Sequence, residues 1–126
     1  MECSEKILNF DIAENDPSFP NIIIIGIGTN GINNAIKSRE QRSEIPKSKV
    51  KLILIGDKEE NKYTDYYFTY SEIKDDKTEF ERSLSDTDLI LICSDINSEI
   101  TSEACLSTTT IIRELNLFCI VSLILS

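Results

Sequence analysis

The feature that most restricts the fold is a run of β-branched residues that ends in glycine. Residues 21–27 read Asn-Ile-Ile-Ile-Ile-Gly-Ile. An unbroken apolar run of this kind is typical of a strand buried on both faces, as in a parallel sheet that is covered by helices. We therefore predict that residues 21–27 form the central strand of such a sheet.

Helical and extended patterns alternate along the rest of the chain. The predicted helices cover residues 33–42, 71–86 and 101–115, and the predicted strands cover residues 50–57, 89–93 and 117–125. Residues 66–70 fit either a short strand or an aromatic cover over the core. Alternation without repeats predicts an α/β fold, a three-layer Rossmann-like parallel sheet with helices on both faces. We expect residues 1–20 to form an N-terminal arm and residues 21–126 to form one domain.

A glycine motif follows the predicted central strand. Residues 26–31 read Gly-Ile-Gly-Thr-Asn-Gly and precede a predicted helix, the context in which this spacing indicates nucleotide binding. The first glycine would permit a tight turn, the second the approach of a phosphate, and the third close packing of helix on strand. The N–H groups and dipole at that helix end favour an anion. The alternative is a compact strand-to-helix turn without a ligand.

Asp57 stands at the end of the second predicted strand. A dinucleotide-binding domain places an acidic residue there to bind the ribose hydroxyls. An acidic residue after a strand is also a common helix cap or solvated loop residue. Both interpretations of Asp57 remain open.

Charge and apolar length restrict the partners of this chain. Its 22 acidic and 13 basic residues give a net charge of −9, and no basic patch interrupts the acidic character. Such a chain repels nucleic acid and anionic lipid. The longest apolar stretches, residues 22–25 and 117–125, are too short to span a bilayer, and the N-terminus lacks a secretory pattern. We expect a cytoplasmic protein without nucleic-acid or membrane partners.

Catalytic chemistry has little support in the sequence. Histidine is absent, which removes the usual general base and the commonest zinc ligand. The four cysteines form no C-x-x-C pair, so we predict reduced thiols that pack as small apolar side chains. No activated nucleophile or paired acid and base is evident. We therefore expect no enzyme activity, no metal and no required cofactor.

Several segments resemble the N-terminal domain of FtsZ, the bacterial tubulin homologue. They are Phe10–Asp11, the glycine motif with its continuation to Asn33 and Ala35, and the Leu-Ser-Asp-Thr-Asp-Leu-Ile-Leu-Ile of residues 84–92. The resemblance covers residues 10–57 and 84–126, whereas residues 58–82 match poorly. It implies a tubulin-like nucleotide-binding fold and a role in cell division, with GTP or GDP as ligand if the site is retained.

The segment of that family that wraps the GTP phosphates is replaced here. Its Gly-Gly-Gly-Thr-Gly-Thr/Ser-Gly loop corresponds to residues 97–103, Asn-Ser-Glu-Ile-Thr-Ser-Glu, and no glycine follows Gly56. Residues with a Cβ atom restrict the backbone angles of such a loop. Glu99 and Glu103 bring negative charge to the phosphate position, while Thr101 and Ser102 offer hydroxyls that serve either a ligand or a helix cap.

The family's C-terminal domain has no counterpart in this sequence, which stops at the strand before the family's long central helix. The resemblance therefore implies that the chain cannot hydrolyse GTP by the family mechanism. The missing helix would also leave apolar surface on the last strand uncovered, and exposed apolar patches mark interaction sites.

We arrive at a leading hypothesis and two alternatives. The leading one is a truncated FtsZ-like domain with a degenerate site that binds a protein, either itself as a homodimer or a full-length division protein. The alternatives are a GTP or GDP sensor that uses residues 26–33 and an unrelated dinucleotide-binding domain. The candidate nucleotide-binding residues are Gly26, Gly28, Thr29, Asn30, Gly31, Asn33, Asp57, Thr101 and Ser102. The candidate interface residues are Leu117, Ile120, Leu123 and Leu125.

Overall fold

The computed structural model describes residues 19–41, 44–57 and 64–124. The predicted arm falls almost entirely outside these ranges, as do Phe10–Asp11 and Leu125. The strands are β1 (Ile22–Ile27), β2 (Val50–Gly56), β3 (Tyr66–Thr69), β4 (Leu89–Asp95) and β5 (Cys119–Ile124). The helices are α1 (Gly28–Glu40), α2 (Tyr70–Asp75), α3 (Thr78–Ser83) and α4 (Glu99–Glu114), with a short 3-10 helix at Lys47–Lys49.

The strands of the described chain form one sheet in the order β3-β2-β1-β4-β5, and every pairing is parallel. In the register of the sheet, Ile22 of β1 lies between Val50 of β2 and Leu89 of β4. This order matches the first five strands of the doubly wound fold, in which the chain reverses direction across the sheet between β1 and β4. The predicted Rossmann-like class and the central position of residues 22–27 are confirmed.

Helices cover the two faces of the sheet with separate apolar clusters. On one face, Ala35 of α1 packs with Ile24 of β1 and Leu54 of β2. On the other face, residues of α2, α3 and α4 pack on the odd-numbered residues of β1. The side chains of Ile22 to Ile25 are all at most 4% exposed, because helices lie on both sides of β1. The sheet with its two helical layers is the predicted three-layer arrangement.

Several predicted boundaries were wrong. Helix α1 begins at Gly28 instead of residue 33, so the last four residues of the glycine motif, 28–31, form its first turn. The predicted helix 71–86 is two short helices, which separate where Asp76 adopts non-helical angles, φ −146° and ψ 82°. The inward residues Ile73, Phe80 and Leu84 are nevertheless buried as expected. Residues 66–69 form a strand, which decides the ambiguity left by the sequence.

Candidate functional site

The carboxyl ends of β1 and β4 are the natural place for a ligand in this fold. Open α/β sheets bind their ligands where the strand order reverses, beyond the carboxyl ends of the strands. Here β1 ends at Ile27 and passes directly into α1 at Gly28, while β4 ends at Asp95. The structure therefore brings the glycine motif and the end of β4 to the same crevice.

All three glycines of the motif are needed for close contacts. Gly28 has a φ of 80°, and a Cβ atom there would lie 2.6 Å from Asp95 Oδ2 and 3.0 Å from Thr101 Cγ2. Gly31 lies against the backbone carbonyl of Cys93 in β4. The third glycine thus packs the helix closely on a strand, as predicted, and Gly26 serves the same packing against Ala35. Gly28 brings its backbone close to a carboxylate.

Asp95 places that carboxylate at the N-terminus of α1. Its side-chain Oδ2 accepts a hydrogen bond of 3.0 Å from the backbone N–H of Asn30. The residue is 3% exposed, and its Oδ1 has no hydrogen-bond partner within the described chain. The N-cap residue Ile27 provides no side-chain cap, and the first turn of α1 contains no acidic residue. Asp95 therefore supplies the negative charge that the helix N-terminus attracts.

The segment that corresponds to the second phosphate loop is engaged in capping α4. The N-cap is Ser98, whose Oγ accepts from the Thr101 N–H at 3.2 Å. The Thr101 hydroxyl donates to the Ser98 carbonyl at 3.0 Å, and its side chain is buried. Of the two hydroxyls considered from the sequence, Thr101 is committed inside the protein and Ser102 is exposed. Glu99 and Glu103 are exposed on the first two turns of α4.

A tyrosine lies within the electrostatic influence of two carboxylates at this end of the sheet. Burial, assisted by the negative charge of Asp57, by Tyr67 and by Asp95, raises the pKa of Tyr70 to about 12. Asp57 itself is exposed directly after β2, where the sequence placed it. Two carboxylates, those of Asp57 and Asp95, therefore act on Tyr70 at this end of the sheet.

Five of the candidate nucleotide-binding residues differ in whether they reach Asp95. Gly28, Asn30 and Thr101 converge on the carboxylate of Asp95. Thr29 and Asn33 are exposed on α1 and make no described contact with this cluster. Sequence reasoning missed Asp95 and Ser98. An acidic residue at the carboxyl end of an apolar strand was the available signal for Asp95.

The candidate interface on β5 is exposed. Ile120 is 51% and Leu123 is 55% exposed, whereas Leu117 is half-buried against the core. Two further residues that the sequence did not single out, Phe118 at 65% and Val121 at 38%, extend this surface. We call Phe118, Ile120, Val121 and Leu123 the β5 surface. Within the described sheet β5 pairs only with β4, so it is an edge strand.

The described cysteines lie in the core or pack against it. Cys93, Cys105 and Cys119 form no disulfide bond within the described chain, and the first two are buried, as predicted for reduced core thiols. The described side chains contain no group of three or more histidine, cysteine, aspartate or glutamate residues placed to hold a metal ion. None of the described helices has the length and apolar character to cross a membrane.

Comparison of the chain with models of protein families, with curated proteins and with solved structures finds no match in any of the three. The residues of the two sites described above therefore provide the basis for any functional proposal.

Proposed function

We propose that this chain is a protein-interaction domain that self-associates through the β5 surface and does not bind nucleotide. It would have the architecture of a divergent FtsZ-like domain with a degenerate phosphate site. The observation that carries the proposal is the set of exposed apolar side chains along and directly before an edge strand. Such a strand offers unpaired backbone groups together with apolar area, the combination that favours pairing between chains.

The charge distribution supports a second copy as the occupant of this surface. The chain carries a net charge of −9, yet residues 115–124 contain no charged side chain. Two copies can approach along β5 without placing like charges directly opposite each other. Antiparallel pairing of two β5 strands around a twofold axis would also give a closed, isologous dimer.

The glycine motif supports the loss of nucleotide binding. The Asp95 carboxylate lies against the N-terminus of α1, and the phosphate-loop counterpart is engaged in capping α4. Both GTP or GDP sensing and dinucleotide binding would require a phosphate at this acidic position. These features favour protein interaction over the two ligand-binding alternatives, with cell division as the process suggested by the FtsZ resemblance.

Analytical ultracentrifugation over a range of protein concentrations would test self-association. We expect a dimer for the natural sequence and a monomer for the double variant Ile120→Glu/Leu123→Glu. The matched control is Ile100→Glu/Leu106→Glu on α4, where the two side chains are 49% and 68% exposed. This control adds the same charge away from β5 and should remain dimeric.

Two results would contradict self-association through β5. One is a natural chain that stays monomeric at high concentration. The other is disruption of the dimer by the α4 double variant, either alone or to the same extent as by the β5 double variant. Disruption by the α4 variant alone would place the interface at the cleft between α2 and α4, which is lined by Tyr70, Ile73, Ile100 and Leu106.

Isothermal titration with GTP, GDP, ATP and NAD in the presence of magnesium would test the loss of nucleotide binding. We expect no binding heat from any of them. Tight guanine-nucleotide binding would instead favour the sensor, and preference for an adenine nucleotide would favour a dinucleotide-binding domain.

A further inference from the structure

The N-terminus of α1 has the features of an anion site but contains a side chain of the same protein. The first four N–H groups of a helix have no acceptor within that helix, and they carry partial positive charge. In α1 one of these donors, the N–H of Asn30, is bonded to Asp95 Oδ2. The carboxylate comes from the end of β4, 65 residues further along the chain.

The second oxygen of Asp95 shows that this carboxylate is held at some cost. Oδ1 is buried and has no hydrogen-bond partner among the described residues. An unpaired buried polar atom loses its hydration without compensation. A phosphate at this position could arrange several oxygens toward the helix N-terminus, whereas Asp95 satisfies the site with one oxygen and leaves the other unpaired.

The backbone around Asp95 remains suited to an anion. Gly28 keeps a φ of 80°, and its missing Cβ leaves the space into which Asp95 Oδ2 fits. Gly31 holds the first turn of α1 close to β4. These are the backbone requirements of a phosphate-binding strand-to-helix turn.

We propose that the Asp95 carboxylate is an internal substitute for a bound anion. The carboxylate occupies a latent phosphate position at the N-terminus of α1 and excludes external anions from it. The proposal deepens the loss of nucleotide binding suggested above and names the residue that causes it. Asp95 of β4 is paired with Ile124 of β5 in the sheet, but it is buried, and none of the four β5-surface side chains is changed in the variants that test this proposal. Self-association through β5 is therefore tested separately.

The test is the variant Asp95→Ala, which removes the carboxylate and frees the N–H of Asn30. Inorganic phosphate and pyrophosphate would be titrated while two-dimensional amide NMR spectra are recorded, with ionic strength held constant by chloride. In this variant we expect saturable shifts at the amides of Thr29, Asn30 and Gly31. In the natural chain the same amides should not move.

Asp88→Ala is the matched control. Asp88 Oδ2 also accepts from a backbone N–H, that of Asn21 at 2.8 Å, but this N–H does not belong to a helix N-terminus. The control loses the same charge and the same kind of hydrogen bond, so it should gain no anion binding. If it gains as much binding as Asp95→Ala, the effect is only one of net charge and the proposal is wrong.

Two further outcomes decide the proposal. A folded Asp95→Ala chain whose α1 amides do not respond to either anion would overturn it, and so would phosphate-induced shifts at those amides in the natural chain. If Asp95→Ala is unfolded in chloride, added phosphate should restore its circular dichroism, since a ligand bound only by the folded state stabilises it. Failure of phosphate to restore folding, while Asp95→Ser folds and remains unresponsive, would also overturn it. Ultracentrifugation of the same variants reports on β5 separately.

Discussion

Gly28 and Asp95 depend on each other at the junction of β1 and α1. A side chain at position 28 would have to adopt a φ near 80° and would meet Asp95 Oδ2 at 2.6 Å. Backbone strain and overpacking of this kind each cost on the order of 1–3 kcal/mol. We predict that Gly28→Ala lowers the free energy of unfolding by about 2–4 kcal/mol, measured by urea denaturation.

Asn33→Ala on the same helix is the control for this effect. Asn33 is exposed, and alanine has the higher helix propensity, so its unfolding free energy should be unchanged or slightly raised. Equal stability of Gly28→Ala and the natural chain would show that Asp95 and the first turn of α1 can separate freely.

Tyr70 makes the stability of the folded chain depend on pH in the alkaline range. Its pKa is raised to about 12 by burial first, then by the negative charge of Asp57, by Tyr67 and by Asp95. The folded chain therefore retains the phenol proton at a pH where the unfolded chain has lost it. This contribution to stability is complete below pH 10 and is lost as the pH rises from 10 to about 12.

The absorbance of the phenolate, taken as the difference between the natural chain and Tyr70→Phe, would follow this titration. We expect its midpoint well above 10, the ordinary value for tyrosine. Asp57→Asn removes one of the charges responsible and should lower the midpoint. A midpoint that is already ordinary in the natural chain would contradict the described position of Tyr70.

At the scale of elements, α4 depends on one capping residue. The Oγ of Ser98 accepts from the N–H of Thr101, and the same hydroxyl lies 2.9 Å from Thr101 Oγ1. Replacement of a serine N-cap by alanine costs about 1 kcal/mol. We predict that loss for Ser98→Ala in thermal and urea denaturation.

Ser102→Ala provides the comparison within the same helix. Ser102 is exposed beyond the first turn, and alanine is the better helix former there, so no loss of stability is expected. A larger loss for Ser102→Ala than for Ser98→Ala would contradict the assignment of Ser98 as the N-cap of α4.

The elements could be predicted where one physical signal dominated. The buried strands β1, β2 and β4 consist mainly of apolar runs, and their predicted positions are nearly those in the structure. The start of α1 was wrong because glycine has low helix propensity and the contact of Gly31 with Cys93 of β4 overrides it. The break between α2 and α3 was missed because Ile73, Phe80 and Leu84 have helical spacing across it.

The candidate site was less accessible to sequence reasoning than the fold. The glycines indicated a close approach to the backbone, and the structure shows one at Gly28. The group that approaches is Asp95, which lies in β4 and reaches α1 only because β4 is placed beside β1. A pairing between residues 65 positions apart follows from the strand order, which no local pattern in the sequence specified.

At the scale of the whole molecule, charge and apolar surface are segregated. The net charge of −9 resides outside residues 115–124, while the β5 surface is apolar. Two copies that meet at β5 bury apolar area but still repel each other through their remaining acidic surfaces. Salt screens that repulsion over a Debye length of about 10 Å at 0.1 M.

We therefore predict that self-association strengthens as sodium chloride is raised, measured as the dimer dissociation constant by ultracentrifugation. An interface made by opposite charges would weaken under the same conditions. The variant Asp75→Asn/Asp76→Asn removes two exposed carboxylates far from β5 in sequence and should dimerise more tightly at low salt, with a weaker salt dependence. Association that falls with salt in both chains would show that charged groups, not the β5 surface, hold the copies together.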